Sequence, residues 1–437
     1  MRIHRAGWLA VLLLGVGPAL LFGQEPAKVS PALADYVKAA DDSFSWKLVR
    51  TAETDGGNLY EIDLVSQTWQ GIRWRHVLVV HEPRRVAHDD QVLLFINGGR
   101  NTQRPSDQQA VRFFRLARWC AGRVAVLYQV PNQPLLGGRF EDDLITETFL
   151  RYLKTKDARW PLLFPMVKSA VRAIDALEAF DKKKWGGKLK HVVVTGGSKR
   201  GWTTWLTAVV DRRVRGLAPL VIDTLNFRVQ MRHQKASWGR YSPQIRDYTR
   251  KGLIDLLEKK PELPLWRWVD PYTYRDAISQ PKLIVNGTND PYWVVDALNN
   301  YWDDLVGPKY ILYIPNAGHG LDGGEGQLRR TLGAFFRSVA LGRPLPQLAW
   351  KHGNSPGQLR LEVTSDIEPV KAELWSARSD RRDFRRAKWS AVEMRKQGKA
   401  WVGDTAVPDG DHVALYGHLS FQVGDLRYGL STQVRVR

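Results

Sequence analysis

Short, solidly apolar runs that end in glycine or proline recur along this chain. Residues 92–96 (VLLFI) lead into Asn97-Gly98-Gly99, and residues 124–130 (VAVLYQV) stop at Pro131. Residues 191–195 (HVVVT) run into Gly196-Gly197-Ser198, and residues 216–222 stop at Asp223. Residues 282–285 lead into Asn286-Gly287-Thr288, and residues 310–314 stop at Pro315. Runs of this length with no polar face predict strands buried on both sides, as in a parallel sheet. Between them, apolar residues recur at three-to-four spacing over 108–119, 141–153, 165–180, 199–210 and 327–340, which predicts amphipathic helices. Residues 44–50, 59–68 and 73–81 alternate apolar with polar and predict half-exposed strands. Strands alternating with helices predict an α/β fold whose chemistry gathers beyond the carboxyl ends of the strands.

Two regions break this alternation. Residues 224–280 lie between two predicted strands and are rich in Trp, Tyr and Arg, including Trp238, Tyr241, Trp266, Trp268 and Tyr272. They read as a cap inserted into a core domain of residues 30–346. From about residue 349 to 437, short strands separated by Gly, Asp and Pro predict an antiparallel β-sandwich.

The first residues bear on the compartment. Arg2, His4 and Arg5 precede an apolar run over residues 8–22, and polar sequence follows from Gln24. A charged start and an apolar run too short to span a bilayer predict a signal peptide of residues 1–23 and export to the periplasm or beyond. No cysteine follows that run, so it is not a lipoprotein signal. The composition changes the picture little: 43% hydrophobic and 25% charged residues are those of an ordinary globular protein. Cys120 is the only cysteine, which excludes an internal disulfide and a cysteine-rich zinc site. The net charge of +20 is compatible with nucleic acid, an anionic envelope surface or an acidic substrate. Export argues against nucleic acid.

The chemistry concentrates beyond three of the predicted strands. Gly196-Gly197-Ser198-Lys199-Arg200-Gly201 joins a buried strand to a helix, and a serine at such a sharp turn is exposed at the top of the sheet. The usual pattern is Gly-x-Ser-x-Gly. Here Arg200 occupies the second glycine position and Gly201 follows. A glycine-rich turn that binds nothing is the alternative. A serine nucleophile needs a base, and the base an orienting acid. Asp290 follows the strand at 282–285 and His319 follows that at 310–314, so Ser198, Asp290 and His319 occur in the order nucleophile–acid–base. Asp223 is a rival for the acid. A loop histidine and an Asx-turn before Pro291 are the structural alternatives for His319 and Asp290. The backbone N–H groups of Lys199 and of Gly98 or Gly99 would hold the developing oxyanion.

Arg200, Trp238 and Tyr241 are the candidate substrate-binding residues. Arg200 would grip a carboxylate or phosphate near the scissile bond; its alternative is to pair with Glu141 or Asp142 and brace the turn. No metal or organic cofactor is implied. The reading is a serine hydrolase acting on a small or envelope-derived ester or peptide, with esters favoured. The rival is a non-catalytic envelope-binding protein that uses the basic stretch Arg378, Arg381, Arg382, Arg385, Arg386 and Lys388.

Several phrases also resemble a known family. They are residues 129–134 (QVPNQP), 139–145 (RFEDDLI), 165–168 (PMVK), 197–207 (GSKRGWTTWLT), 221–226 (VIDTLN) and 286–292 (NGTNDPY). Together they resemble the PhoPQ-activated pathogenicity-related proteins, exported proteins with an α/β-hydrolase-like core. The resemblance implies an α/β-hydrolase fold and the same three triad positions, and says little about substrate. The turn at Ser198 is also similar, over six residues, to that of glucuronoyl esterases, whose substrate bears a uronate.

Overall fold

The computed structural model describes residues 31–437. The expected signal peptide, residues 1–23, lies outside the described residues. A nine-stranded mixed sheet forms the centre. Its strands are β1 (Ser45–Thr54), β2 (Gly57–Trp69), β3 (Ile72–Pro83), β4 (His88–Ile96), β5 (Gly122–Leu127), β6 (His191–Gly197), β7 (Val214–Leu220), β8 (Lys282–Gly287) and β9 (Lys309–Ile314). The spatial order is β1-β2-β3-β5-β4-β6-β7-β8-β9. The first three strands form an antiparallel meander that joins antiparallel onto β5, and every later pairing is parallel. Strands β5 and β8 are buried along their whole length, because helices cover both faces of the sheet.

One face packs against Leu163–Lys184 and the inserted cap, and the other against Phe114–Cys120 and Glu325–Leu341. Three boundaries differ from the pattern reading. The run at 124–130 leaves the sheet at Leu127, since Gln129 takes a left-handed φ of 63° before Pro131. The run at 216–222 pairs instead over Val214–Leu220 and ends where Val221 turns to φ 46°. The helix expected over 108–119 is two helices, Asp107–Val111 and Phe114–Cys120. The first is set by a capping box between Ser106 and Gln109.

Residues 224–280 fold as helices, among them Phe227–Trp238, Leu253–Lys259 and Pro264–Val269. From Leu348 the chain forms two antiparallel sheets. Leu359, Leu361 and Val363 of one sheet share an apolar core with Leu374, Val413 and Leu415 of the other. The strand Leu426–Ser431 lies against β9, and Ser431 Oγ accepts the Tyr313 N–H at 3.0 Å, so the outer edge of the central sheet is covered.

Candidate active site

Ser198 sits between β6 and the helix Lys199–Val210 with φ 57° and ψ −124°, a conformation that a non-glycine residue adopts only under constraint. The constraint is local. Ser198 N–H donates to Leu220 O at 2.9 Å, and Ser198 O accepts from Trp202 N–H at 2.9 Å. Two glycines make the close approach possible. A Cβ on Gly196 would lie 2.9 Å from the Arg200 backbone, and one on Gly201 would lie 2.8 Å from Ile222 and 3.0 Å from Leu220 O. The departure from Gly-x-Ser-x-Gly thus has a physical reason. The tight contact between the helix and β7 falls at position 201, and position 200 has room for a side chain that runs over Gly98 to Glu141.

Asp290 and His319, the expected acid and base, lie in contact. His319 Nδ1 lies 2.7 Å from Asp290 Oδ2, and Asp290 Oδ1 accepts the Tyr292 N–H at 2.8 Å. The Tyr292 ring stacks on the imidazole at 4.1 Å between centroids. Asp290 is buried, and His319 Nε2 is buried with no hydrogen-bond partner among the described residues. The rival acid is engaged elsewhere. Asp223 accepts from Tyr301 at 2.6 Å and Asn286 at 2.9 Å. Its burial, with Asp290 and Asp296 nearby, raises its carboxyl to about 7 despite the Tyr301 bond.

Arg200 does not face a ligand. Its Nη2 and Nη1 bind Glu141 at 2.6 and 2.8 Å, and its Nε donates to Val130 O. This corrects the expectation of a free anion-gripping guanidinium and supports the bracing alternative. Lys199 Nζ lies 2.8 Å from Asp142. Burial alone would raise the Glu141 carboxyl, but Arg200 and Lys199 outweigh it and hold the group down at about 2. Glu141 itself is fixed by Gln133, whose side chain accepts its N–H at 2.9 Å and donates to its carboxylate at 2.6 Å. Two expectations for the cap need correction as well. Trp238 lies under the Arg385 guanidinium and Tyr241 under Lys235, and neither lines a cavity at Ser198. Of the oxyanion candidates, Gly98 already donates its N–H to Asn97 Oδ1 at 2.9 Å, and the space above its Cα is filled by Arg200. Gly99, at φ 126°, and the Lys199 N–H at the helix start remain.

Two cavities border the elbow. One is a narrow apolar chamber of about 70 Å³ that includes Ser198 and Lys199 and is roofed by the cap through Phe227, Met231, Leu253 and Trp266. The other is a polar cleft of about 700 Å³ that includes His319, Gly98 and Gly99. Trp266 stood among the aromatic residues of the expected cap, but Phe227, Met231 and Leu253 were not singled out in the sequence, because they look like ordinary core positions of short helices. Among the described residues no cluster of His, Cys, Asp or Glu could hold a metal ion.

A serine at a strand–helix elbow, followed in sequence by an acid and a histidine beyond later parallel strands of this order, defines an α/β-hydrolase fold. The chain belongs to the PhoPQ-activated pathogenicity-related protein family, whose model matches residues 33–385. It is similar to autocrine proliferation repressor protein A of Dictyostelium discoideum, with 32% identity over 378 residues, 82% of this chain and 76% of that protein. Among solved structures, it resembles acetyl xylan esterase 1 from Thermoanaerobacterium sp. JW/SL YS485, with a TM-score of 0.49 and 16% identity over 70% of this chain and 91% of that one. It also resembles the glucuronoyl esterase from Solibacter usitatus, with a TM-score of 0.42 and 12% identity over 71% and 91%.

Proposed function

We propose that this protein is an exported serine hydrolase that cleaves esters through Ser198, His319 and Asp290. The observation that carries the reading is the 2.7 Å contact between His319 and Asp290, together with a serine held at φ 57° at the strand–helix elbow. Ser198 Oγ attacks the carbonyl carbon while His319 Nε2 takes its proton. Asp290 holds the Nδ1–H tautomer and stabilises the imidazolium. The Lys199 and Gly99 N–H groups receive the oxyanion. The leaving alcohol departs with the proton from Nε2, and the acyl group stays on Ser198. Water, deprotonated by the same nitrogen, then releases the acid. The charged start and short apolar run of residues 1–23 support export. No helix of the described residues is long and apolar enough to cross a membrane.

In the basic stretch of the envelope-binding alternative, Arg382 is bound to Asp296 and Arg385 to Asp383, while Arg378, Arg386 and Lys388 are exposed and make no ion pair among the described residues. Hydrolysis of 4-nitrophenyl butyrate by the wild type and by Ser198→Ala, His319→Ala and Asp290→Asn tests the reading. Loss of at least about 10³-fold in kcat in the first two is expected. Turnover retained in both would overturn it.

A further inference from the structure

Two cavities border the elbow: Ser198 and Lys199 line an apolar chamber, and their chain neighbours Gly197 and Arg200 line a polar cleft. What these spaces imply rests on the proposed roles of Ser198 and His319 and specifies their substrate.

In acyl transfer the two halves of an ester part company in a fixed way. The acyl half stays on the nucleophile, and the other half leaves toward the group that protonates it. Here those two groups open onto different spaces. Ser198 lines the apolar chamber, and His319 lines the polar cleft. The stacked Tyr292 ring stands beside His319 and forms part of the chamber wall. The geometry points to an ester with a short apolar acyl group and a polar leaving group that carries an anionic substituent.

The acyl half follows from the chamber. Its space holds on the order of five water-sized groups, enough for a short chain. Phe149, Trp202, Phe227, Leu257 and Trp266 offer such a chain no hydrogen bond beyond the already committed Trp indoles, which donate to backbone carbonyls. The lysine on its wall is committed too, with Asp142 at 2.8 Å and Glu141 at 3.6 Å. A carboxylate placed there would lose its hydration without gaining a free cationic partner.

The leaving half follows from the cleft. Arg100, Arg104, Arg112, Arg200 and Arg329 line it, against Glu141, Asp322 and Glu325. Arg200 is taken by Glu141, and Arg104 by Glu61 and Asp63. Arg100, Arg112 and Arg329 make no ion pair within 4 Å among the described residues; Arg100 lies over the Phe140 ring and Arg112 over the Phe113 ring. Burial and the neighbouring Arg115, Arg112 and Arg330 push the Arg329 guanidinium below its usual value, against the opposing pull of Glu325. A carboxylate or phosphate ester on the leaving group would meet guanidinium groups there that no carboxylate holds, Arg112 and Arg329 among them.

Four 4-nitrophenyl-type esters test this on the intact protein. Butyryl and hemisuccinyl groups are nearly the same size and differ in one carboxylate. The 4-nitrophenyl and 3-carboxy-4-nitrophenyl leaving groups differ in the same way. The expected result is kcat/KM at least about tenfold higher for butyryl than for hemisuccinyl, and higher for the carboxylated leaving group. In Arg112→Gln/Arg329→Gln, the ratio of kcat/KM for the carboxylated over the plain leaving group should fall about tenfold. Preference for hemisuccinyl, or an unchanged leaving-group ratio in that variant, would overturn the inference. Either result would leave the serine mechanism intact. Failure of that mechanism would show separately, as turnover that survives Ser198→Ala.

Discussion

The Asn289 side-chain amide donates to Ala387 O at 2.7 Å, joining the loop that carries Asp290 to a turn of the C-terminal region. Two weaker contacts, to Phe384 O at 3.3 Å and Arg385 O at 3.4 Å, share the same amide. The histidine loop is tied to the same turn. Asn316 Nδ2 donates to Trp389 O at 3.0 Å, and Asn316 Oδ1 accepts the Trp389 N–H at 2.8 Å. Phe384 and Trp389, both buried, anchor the ends of the turn. Acid and base are therefore registered against one external template as well as against each other.

Asn289→Ala should lower kcat about tenfold with KM within about twofold, since it loosens alignment without touching substrate. Its stability cost should be about 1–3 kcal/mol, from carbonyls left without a donor. Steady-state kinetics and urea unfolding measure both. A change confined to KM would contradict the positioning role.

Arg200→Lys tests the brace behind the elbow. Lysine cannot reproduce the two-pronged contact with Glu141 and the bond to Val130 O at once. The melting temperature should fall, with a loss of about 1–3 kcal/mol, and turnover of neutral and anionic esters should drop in the same proportion. A loss restricted to anionic esters would restore Arg200 as a ligand-binding residue.

Asp223 supplies a pH signature. Its folded-state value of about 7 lies above the ordinary 3.8, so the folded state holds the proton more tightly than the unfolded chain. Stability contributed by this group is full below about pH 4 and is lost as pH rises toward 7. Asp223→Asn removes that dependence. Asn286 can turn its amide to suit, because its Oδ1 is buried without a partner among the described residues. The melting temperature of the variant relative to wild type should climb between pH 4 and pH 7. A constant difference would contradict a shifted Asp223.

Gly201→Ala probes the displaced glycine of the elbow. The added Cβ would meet Ile222, Gly196 O and Leu220 O, two of them backbone atoms with little freedom to yield. A loss of about 1–3 kcal/mol is expected, measured by thermal unfolding. A neutral effect would show that the contact between the helix and β7 is looser than described.

Much of this was legible in the chain, for physical reasons. Buried parallel strands write continuous apolar runs, so β4, β6, β8 and β9 stood out, and the residues just past them had to lie at the carboxyl edge of the sheet. Ser198, Asp290 and His319 of the proposed triad were placed there in that way, and Asp290 and His319 lie in contact. What escaped depends on partners distant in sequence. Asn289 and Asn316 look like ordinary turn residues until residues 384–389 fold against them. Trp238 and Tyr241 were chosen because aromatic residues in a cap suggest a pocket. The helix Phe227–Trp238 instead turns Phe227 and Met231 inward, and its last residue meets Arg385. Arg200 left two readings open in the sequence, an anion or a brace on Glu141 or Asp142, and its contact with Glu141, 59 residues earlier, supports the brace.

The central claim is that Ser198 is an activated nucleophile. Its most direct test is the mass of the protein and of its peptides after brief exposure to a fluorophosphonate. The account predicts a single adduct, located on Ser198, and none in a folded Ser198→Ala variant. An adduct on another residue that persists in the alanine variant, or no adduct on a folded wild type, would contradict it.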